Sequence, residues 1–391
     1  MGLPSPTSVV STGGLRAPRM EQTLPKSSAS SQAGPCDAKS LAEVSRFAFL
    51  VSSYAGGPFM GAQLAVTCRA MCTAVLKVWE ELARNWPMRI YVIGGLDTAF
   101  QEVDTFWRLD PQKGVWEALP PSGLPAAGSA MTVALGKVYL FGGELSGDAL
   151  QDARCFDPVA REWETLPPMK QGRIRPASVF SEGYIYVLGG LDGIRTLNSA
   201  ERFNVATKTW EELPPMHRPR YAGGAAAVRK GCVLAMAGEL TETGLAASLE
   251  VYNPKTSSWE LWPAVRTPTC GATVVISRAG RTVYSVGGLG LSGQALAITE
   301  SIAMGPAIDA PLTSGRRFSP PSWNSISSMA TPRHLTSATT FGGGVAVIGG
   351  KGPTFEAVSS AEIYEPSVGA WKALPNIPAP RLRAAVVSAR I

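Results

Sequence analysis

The amino-acid sequence predicts an all-β ring of blades. A unit near fifty residues recurs six times, and every copy carries a short apolar strand, a glycine pair and a later tryptophan. The pairs are Gly94-Gly95, Gly142-Gly143, Gly189-Gly190, the degraded Ala237-Gly238, Gly287-Gly288 and Gly349-Gly350. Their first members are 48, 47, 48, 50 and 62 residues apart, and Trp116, Trp163, Trp210, Trp259, Trp323 and Trp371 follow them in turn. Such a period means a radial array, because one small sheet cannot bury both of its faces alone.

Each unit reads in the same order. A small-residue strand, Ala177-Ser178-Val179-Phe180 in the third unit, precedes an aliphatic strand, Tyr184 to Leu188, too short for a helix and bounded by glycines. The glycine pair ends that strand where backbones approach closely and no Cβ fits. A polar loop leads to a third strand with an aromatic or large apolar residue, and six residues separate that residue from the tryptophan. Phe156 and Trp163 show this spacing, as do Phe203 and Trp210, Tyr252 and Trp259, Tyr364 and Trp371, and Leu109 and Trp116. Asp157-Pro158, Asn253-Pro254 and Glu365-Pro366 lie between them, so strands three and four form a hairpin.

This set of residues resembles the kelch repeat over roughly residues 88 to 391. The resemblance implies a six-bladed β-propeller with four strands per blade. The first unit opens on its second strand, Arg89 to Ile93, and lacks the small-residue strand. The chain ends with Arg383-Ala384-Ala385-Val386-Val387-Ser388, which supplies that strand and is predicted to close the ring in the first blade. In the fifth unit Ile302 takes the aromatic position. The extra fourteen residues of that unit fall around Gly305 to Pro320, as a longer loop between strands three and four.

A chain of 391 residues holds one large ring and a small second element. The formal charge is +6 and the pI near 9.0, but Lys and Arg are dispersed and often lie near acids. That excludes a basic nucleic-acid-binding run and leaves a weak preference for acidic partners. The six cysteines form no CxxC pair, which fits reduced thiols and a cytoplasmic or nuclear protein. Cys68 and Cys72 lie one helical turn apart with no histidine nearby, so they read as core, and neither a metal nor a cofactor is expected. No stretch reaches the roughly 20 apolar residues of a membrane span. Residues 1–38, rich in Ser, Pro, Gly and Thr, read as a disordered tail, with an organelle transit peptide as the other reading.

Residues 39–87 have a different grain. Leu41, Val44, Phe47, Phe49, Leu50 and Val51 give an apolar helical face, and Gly56-Gly57-Pro58 breaks it. Leu64, Cys68, Met71, Leu76, Val78, Trp79 and Leu82 then resume helical spacing. This short α-helical segment is too small for a core of its own. Leu64 to Ala83, LAVTCRAMCTAVLKVWEELA, resembles the second half of an F-box. That resemblance implies docking onto a Skp-type adaptor of a cullin-RING ubiquitin ligase, helix in groove, with Leu64, Cys68, Trp79 and Leu82 as anchors. The other reading is a helical cap that packs the same side chains against one rim of the ring.

In an up-and-down blade, the loops after strand two and the linkers between blades share a rim. The linkers carry Arg173, Arg175, His217, Arg218, Arg220, Arg333, His334, Arg381 and Arg383. The kelch-adaptor resemblance implies that arginines there grip an acidic segment of a protein substrate, since a guanidinium holds a carboxylate through two parallel hydrogen bonds. Arg175, fourteen residues before its glycine pair, is the leading contact. Asp97, Glu144, Asp192 and Glu239 follow the pairs and predict an acidic arc beside these arginines, either a mixed-charge recognition rim or an ordinary solvated one.

A structural role competes for some of these arginines. Glu201, Glu250, Glu300 and Glu362 each stand two residues before the aromatic position, on one face of strand three. The third, fifth and sixth units carry this Glu and are followed by Arg220, Arg333 and Arg381, so buried Glu–Arg pairs between neighbouring blades are expected. Trp107 takes the Glu position in the first unit, and Arg154 takes it in the second. The only histidines, His217 and His334, fall in different linkers. No nucleophile elbow, HExxH or phosphate loop is present, so no catalysis is expected. The sequence therefore points to a monomeric protein-binding ring that serves as a substrate adaptor for ubiquitin ligation. A plain scaffold with a helical cap is the alternative, and an enzyme the third reading.

Overall fold

The computed structural model describes residues 88–390 apart from 126, 229–230, 237–248, 263–271, 278–281, 291 and 304–322. The tail 1–38, the segment 39–87 and its anchors Leu64, Cys68, Trp79 and Leu82 lie outside the described residues, as do Ala237-Gly238, Glu239 and the insertion around Gly305 to Pro320.

The second strand of each unit is buried on both faces, as in Ile185–Leu188 and Gly344–Ile348, which happens when sheets stack on either side. Blade 1 holds β1 (Met88–Ile93), β2 (Phe106–Asp110) and β3 (Val115–Leu119). Blade 2 holds β4 (Ala130–Ala134), β5 (Lys137–Phe141), β8 (Ala153–Asp157) and β9 (Glu162–Thr165), with a ribbon of β6 (Glu144–Leu145) and β7 (Asp148–Ala149) after its second strand. Blade 3 is β10 (Ala177–Ser181), β11 (Tyr184–Leu188), β12 (Ala200–Asn204) and β13 (Thr209–Leu213). Blade 4 is β14 (Gly224–Ala227), β15 (Val233–Met236), β16 (Leu249–Asn253) and β17 (Ser258–Trp262). Blade 5 is β18 (Thr273–Ile276), β19 (Thr282–Val286), β20 (Thr299–Ala303) and β21 (Asn324–Ile326). Blade 6 is β22 (Ser337–Phe341), β23 (Gly344–Ile348), β24 (Ala361–Glu365) and β25 (Ala370–Leu374).

The last strand, β26 (Ala385–Arg390), pairs antiparallel with β1, from Ile93 opposite Ala385 to Met88 opposite Arg390. It completes a four-stranded first blade in the order β26-β1-β2-β3. The innermost strands β26, β4, β10, β14, β18 and β22 touch in a closed circle, so the fold is a six-bladed β-propeller.

The recurrent residues fasten each blade to the next. Phe156 lies directly opposite Trp163, Phe203 opposite Trp210, Tyr252 opposite Trp259, Tyr364 opposite Trp371 and Leu109 opposite Trp116. Each indole then reaches into the linker of the preceding blade. Trp163 Nε1 donates to the Pro120 carbonyl at 2.9 Å, Trp210 to Pro167 at 2.8 Å, Trp259 to Pro214 at 2.8 Å, Trp371 to Ser327 at 2.8 Å and Trp116 to Pro375 at 3.1 Å. Six apolar clusters fill the spaces between neighbouring blades. In one of them Phe106 of blade 1 meets Phe156 of blade 2 edge-on at 5.0 Å.

The glycine pairs have the same purpose. Gly142, Gly189, Gly287 and Gly349 have φ of 61–68°, and a Cβ on each would land on the carbonyl oxygen of Arg173, Arg220, Arg333 and Arg381 respectively. The second glycine of each pair donates its N–H to that same carbonyl, at 2.7–2.9 Å. The outgoing linker is thus seated on the glycine pair of the blade it leaves.

Candidate functional site

The linker arginines follow from that seating. With its carbonyl held by Gly143 of blade 2, Arg173 sends its side chain into blade 3. There Nη2 and Nε meet Glu201 Oε1 at 2.9 and 3.2 Å, and Nη1 donates to the Gly189 and Ser199 carbonyls at 2.7 and 3.0 Å. Arg333 repeats the arrangement in blade 6, with Glu362 Oε1 at 2.6 Å and the Gly349 and Ser360 carbonyls at 3.1 and 2.8 Å. Arg220 pairs with Glu250 of blade 4. The second carboxylate oxygen of each Glu accepts a linker N–H, from Lys170, His217 and Ala330 at 2.7–2.8 Å. Burial lowers the pKa of all three arginines, and the facing carboxylates oppose that shift.

Buried Glu–Arg pairs are present as the sequence led one to expect, but with different partners, and Arg173 joins them. Glu201, Glu250 and Glu362 each pair with the arginine of the linker before it, because the linker projects its side chain forward into the next blade. Arg173, Arg220 and Arg333 are 0, 2 and 0% exposed, so they latch blades together and present nothing at the rim. Arg381 is also buried. In blade 1, where Trp107 replaces Glu, its guanidinium lies over the indole at 4.9 Å and donates to Thr105 Oγ1 at 3.1 Å. In blade 2 the polarity is reversed, and Arg154 reaches from strand three back to the Ser122 carbonyl of the linker.

Four short bridges show that the linkers and the loops after strand two share one rim: Leu382 with Leu96, Ala127 with Glu144, Ile174 with Leu191 and His334 with Lys351. Inside them runs a belt of backbone hydrogen bonds around the channel mouth. Arg383 N–H donates to Leu335, Gly128 to Arg383, Arg175 to Gly128 and Ala222 to Arg175, at 2.7–3.1 Å. Each of these residues has a left-handed φ, from 50° to 66°. The belt places the Arg175 and Arg383 side chains at the mouth of a cavity of about 400 Å³ that the inner strands line with small residues such as Ala130, Thr132, Ser178 and Ala225.

Of the sequence candidates, Arg175 is half-buried at this mouth, its guanidinium 5.8 Å from the Tyr221 ring centroid. Arg383 is held by Glu144 at 2.5 Å. Arg218 is exposed in the linker above Glu250. His334 is buried beneath the rim, so it too offers no outward contact. Asp192 is exposed, and its Oδ1 accepts the N–H of Ile194 and of Arg195 at 2.9 and 2.6 Å, which holds its carboxyl below the usual range. Asp97 ties its own loop in the same way, through Ala99 and Gln101. The predicted acidic arc is therefore committed in large part to shaping loops and to Arg383.

Three apolar residues on this rim were not singled out from the sequence. Phe100, Ile194 and Phe355 stand 51, 90 and 52% exposed in the loops after the second strands of blades 1, 3 and 6. Phe100 and Phe355 have φ of 59° and 67°, the left-handed region that Gly293 occupies at the same step of blade 5. The side chain of Lys351 places its ammonium between them, 5.1 Å from the ring of Phe100 and 5.3 Å from that of Phe355. A phenylalanine six residues after the first glycine of the pair, where the fifth unit has glycine, was the available sequence signal.

Comparison with known proteins agrees with this architecture. The KLHDC2/KLHL20/DRC7 kelch-repeats domain matches residues 83–288, just over half of the chain. An F-box/kelch-repeat protein of Arabidopsis thaliana is 36% identical over 77 residues, 19% of this chain and 20% of that relative. The match thus spans a fifth of the relative's length. The solved structure of YjhT superposes with a TM-score of 0.55 at 16% identity, covering 69% of this chain and 89% of that one, a likeness of fold.

Proposed function

This chain belongs to the kelch-repeat family, and from that premise we propose that it is the substrate-recognition adaptor of a cullin-RING ubiquitin ligase. A kelch propeller is a protein-interaction domain, and the observation that carries the recognition half of the proposal is the channel mouth. Its backbone belt holds Arg175 in fixed geometry above a cavity of about 400 Å³. A guanidinium carried on so fixed a backbone suits a carboxylate on an extended acidic segment.

The ligase half rests on the F-box resemblance of Leu64 to Ala83 and on the F-box/kelch-repeat relative. In this reading residues 39–87 dock a Skp-type adaptor, residues 1–38 are a tail, and residues 88–391 hold the substrate. The protein performs no chemistry. It raises the effective concentration of a substrate lysine near the ligase. It works as a monomer in the cytoplasm or nucleus, where reduced thiols such as Cys155 and Cys232 persist.

Titration of the purified intact chain with a Skp-type adaptor tests this. Saturable binding that Leu64→Ala with Trp79→Ala abolishes is the expected result. No binding by the intact chain defeats the ligase role and leaves a protein-binding scaffold with a helical cap.

A further inference from the structure

We infer that the seam between blade 6 and blade 1 carries a docking pocket for an extended protein segment that places an apolar side chain beside a carboxylate. The inference rests on the reading that this rim binds a protein. Phe100 comes from blade 1 and Phe355 from blade 6, and both rings are half exposed. Each occupies a backbone conformation that glycine adopts without strain, so local folding gives no reason for an aromatic there.

Between the rings lies Lys351, and among the described residues no carboxylate comes within ion-pairing distance of its ammonium. The cation rests on two aromatic faces and has its charge unanswered from above. Charge complementarity therefore calls for a carboxylate, and the exposed ring surfaces on either side call for an apolar neighbour.

The platform beneath is rigid. Leu96, Ala127, Ala357 and Leu382 form a buried cluster across blades 6, 1 and 2 below the seam, and the buried His334 ring meets Phe355 edge-on at 6.1 Å. Lys351 is fixed by backbone hydrogen bonds to His334 at 2.8 and 3.1 Å. Two adjacent aromatic anchors on a fixed base have the make-up of an interface hot spot.

The test is selection of a phage-displayed random dodecapeptide library on the immobilised full chain. It is run on the wild type, on Phe100→Gly with Phe355→Gly, and on Arg175→Ala, with a melting curve for each. The expected wild-type result is enrichment of an apolar residue next to Asp or Glu. The double glycine variant should lose this enrichment, with selected peptides binding about tenfold or more weakly, while its Tm stays equal or rises.

Enrichment that survives in the double glycine variant but vanishes in Arg175→Ala overturns the seam and leaves the rim reading standing. A steep fall in Tm, selected peptides without an acidic residue, or self-association that the double variant removes also overturns it. No enrichment on the wild type defeats the rim reading and the seam together.

Discussion

The guanidinium of Arg173 is held on both sides of a blade boundary, its own carbonyl by Gly143 and its side chain by Glu201, Gly189 and Ser199. A buried pair so fully hydrogen-bonded adds modest net stability, but removal of one partner strands a charge in a dry site. Arg173→Met alone and Glu201→Gln alone should each cost about 3–5 kcal/mol, and the double variant should cost less than the sum of the two. Urea unfolding of the four proteins checks this cycle. Cys155 gives a second residue-scale expectation. Burial pushes its thiol up to about 11, with the Tyr139 hydrogen bond opposing the shift, so at neutral pH it should resist alkylation that labels exposed thiols, and react only on unfolding. Peptide mass mapping after brief iodoacetamide treatment reads this directly. The burial of Arg220, Arg333 and Arg381 was legible in the sequence as a co-occurrence with Glu, but that of Arg173 was not. Arg173 lies in a linker like Arg175 two residues on, and the direction of each side chain depends on which glycine pair seats the backbone.

Among the elements, β26 does most to explain why the ring holds. It covers the free edge of β1 and packs between β22 and β4, so the C-terminal strand completes the sheet of the first blade after the chain leaves the sixth. Removal of residues 383–391 should expose the edge of β1, broaden and lower the thermal transition, and promote aggregation. Melting followed by light scattering measures both. Gly189→Ala should destabilise blade 3, since its Cβ would strike the Arg220 carbonyl at a φ of 63°. The blades and the closing strand were legible because the repeat is periodic and its first copy lacks a strand. The pairing of each Glu with the preceding linker was not, because sequence order does not say which way a linker leans. The loops after strand two were the least legible part. Their aromatics fit no period, and only comparison between units exposes Phe100 and Phe355 as departures from Gly293.

At the scale of the whole molecule, stability is distributed around the circle in six inter-blade clusters, tryptophan stitches and buried latches, while the shared rim is left to loops. That division lets the rim vary without loss of the ring. The half-buried Arg175 at the channel mouth and the aromatic pair at the seam lie on the same rim. The Arg175→Ala chain should therefore fold with an unchanged Tm and lose about tenfold or more in affinity for a rim-bound acidic segment, measured by calorimetry on a selected peptide. The proposed adaptor role is tested most directly by quantitative proteomics on cells that lack this chain and are complemented with wild type, Arg175→Ala, or Leu64→Ala with Trp79→Ala. The account expects at least one protein to accumulate in the deficient cells, to fall back with wild type and to stay high with both variants. Restoration by either variant, or no protein that accumulates, would contradict it.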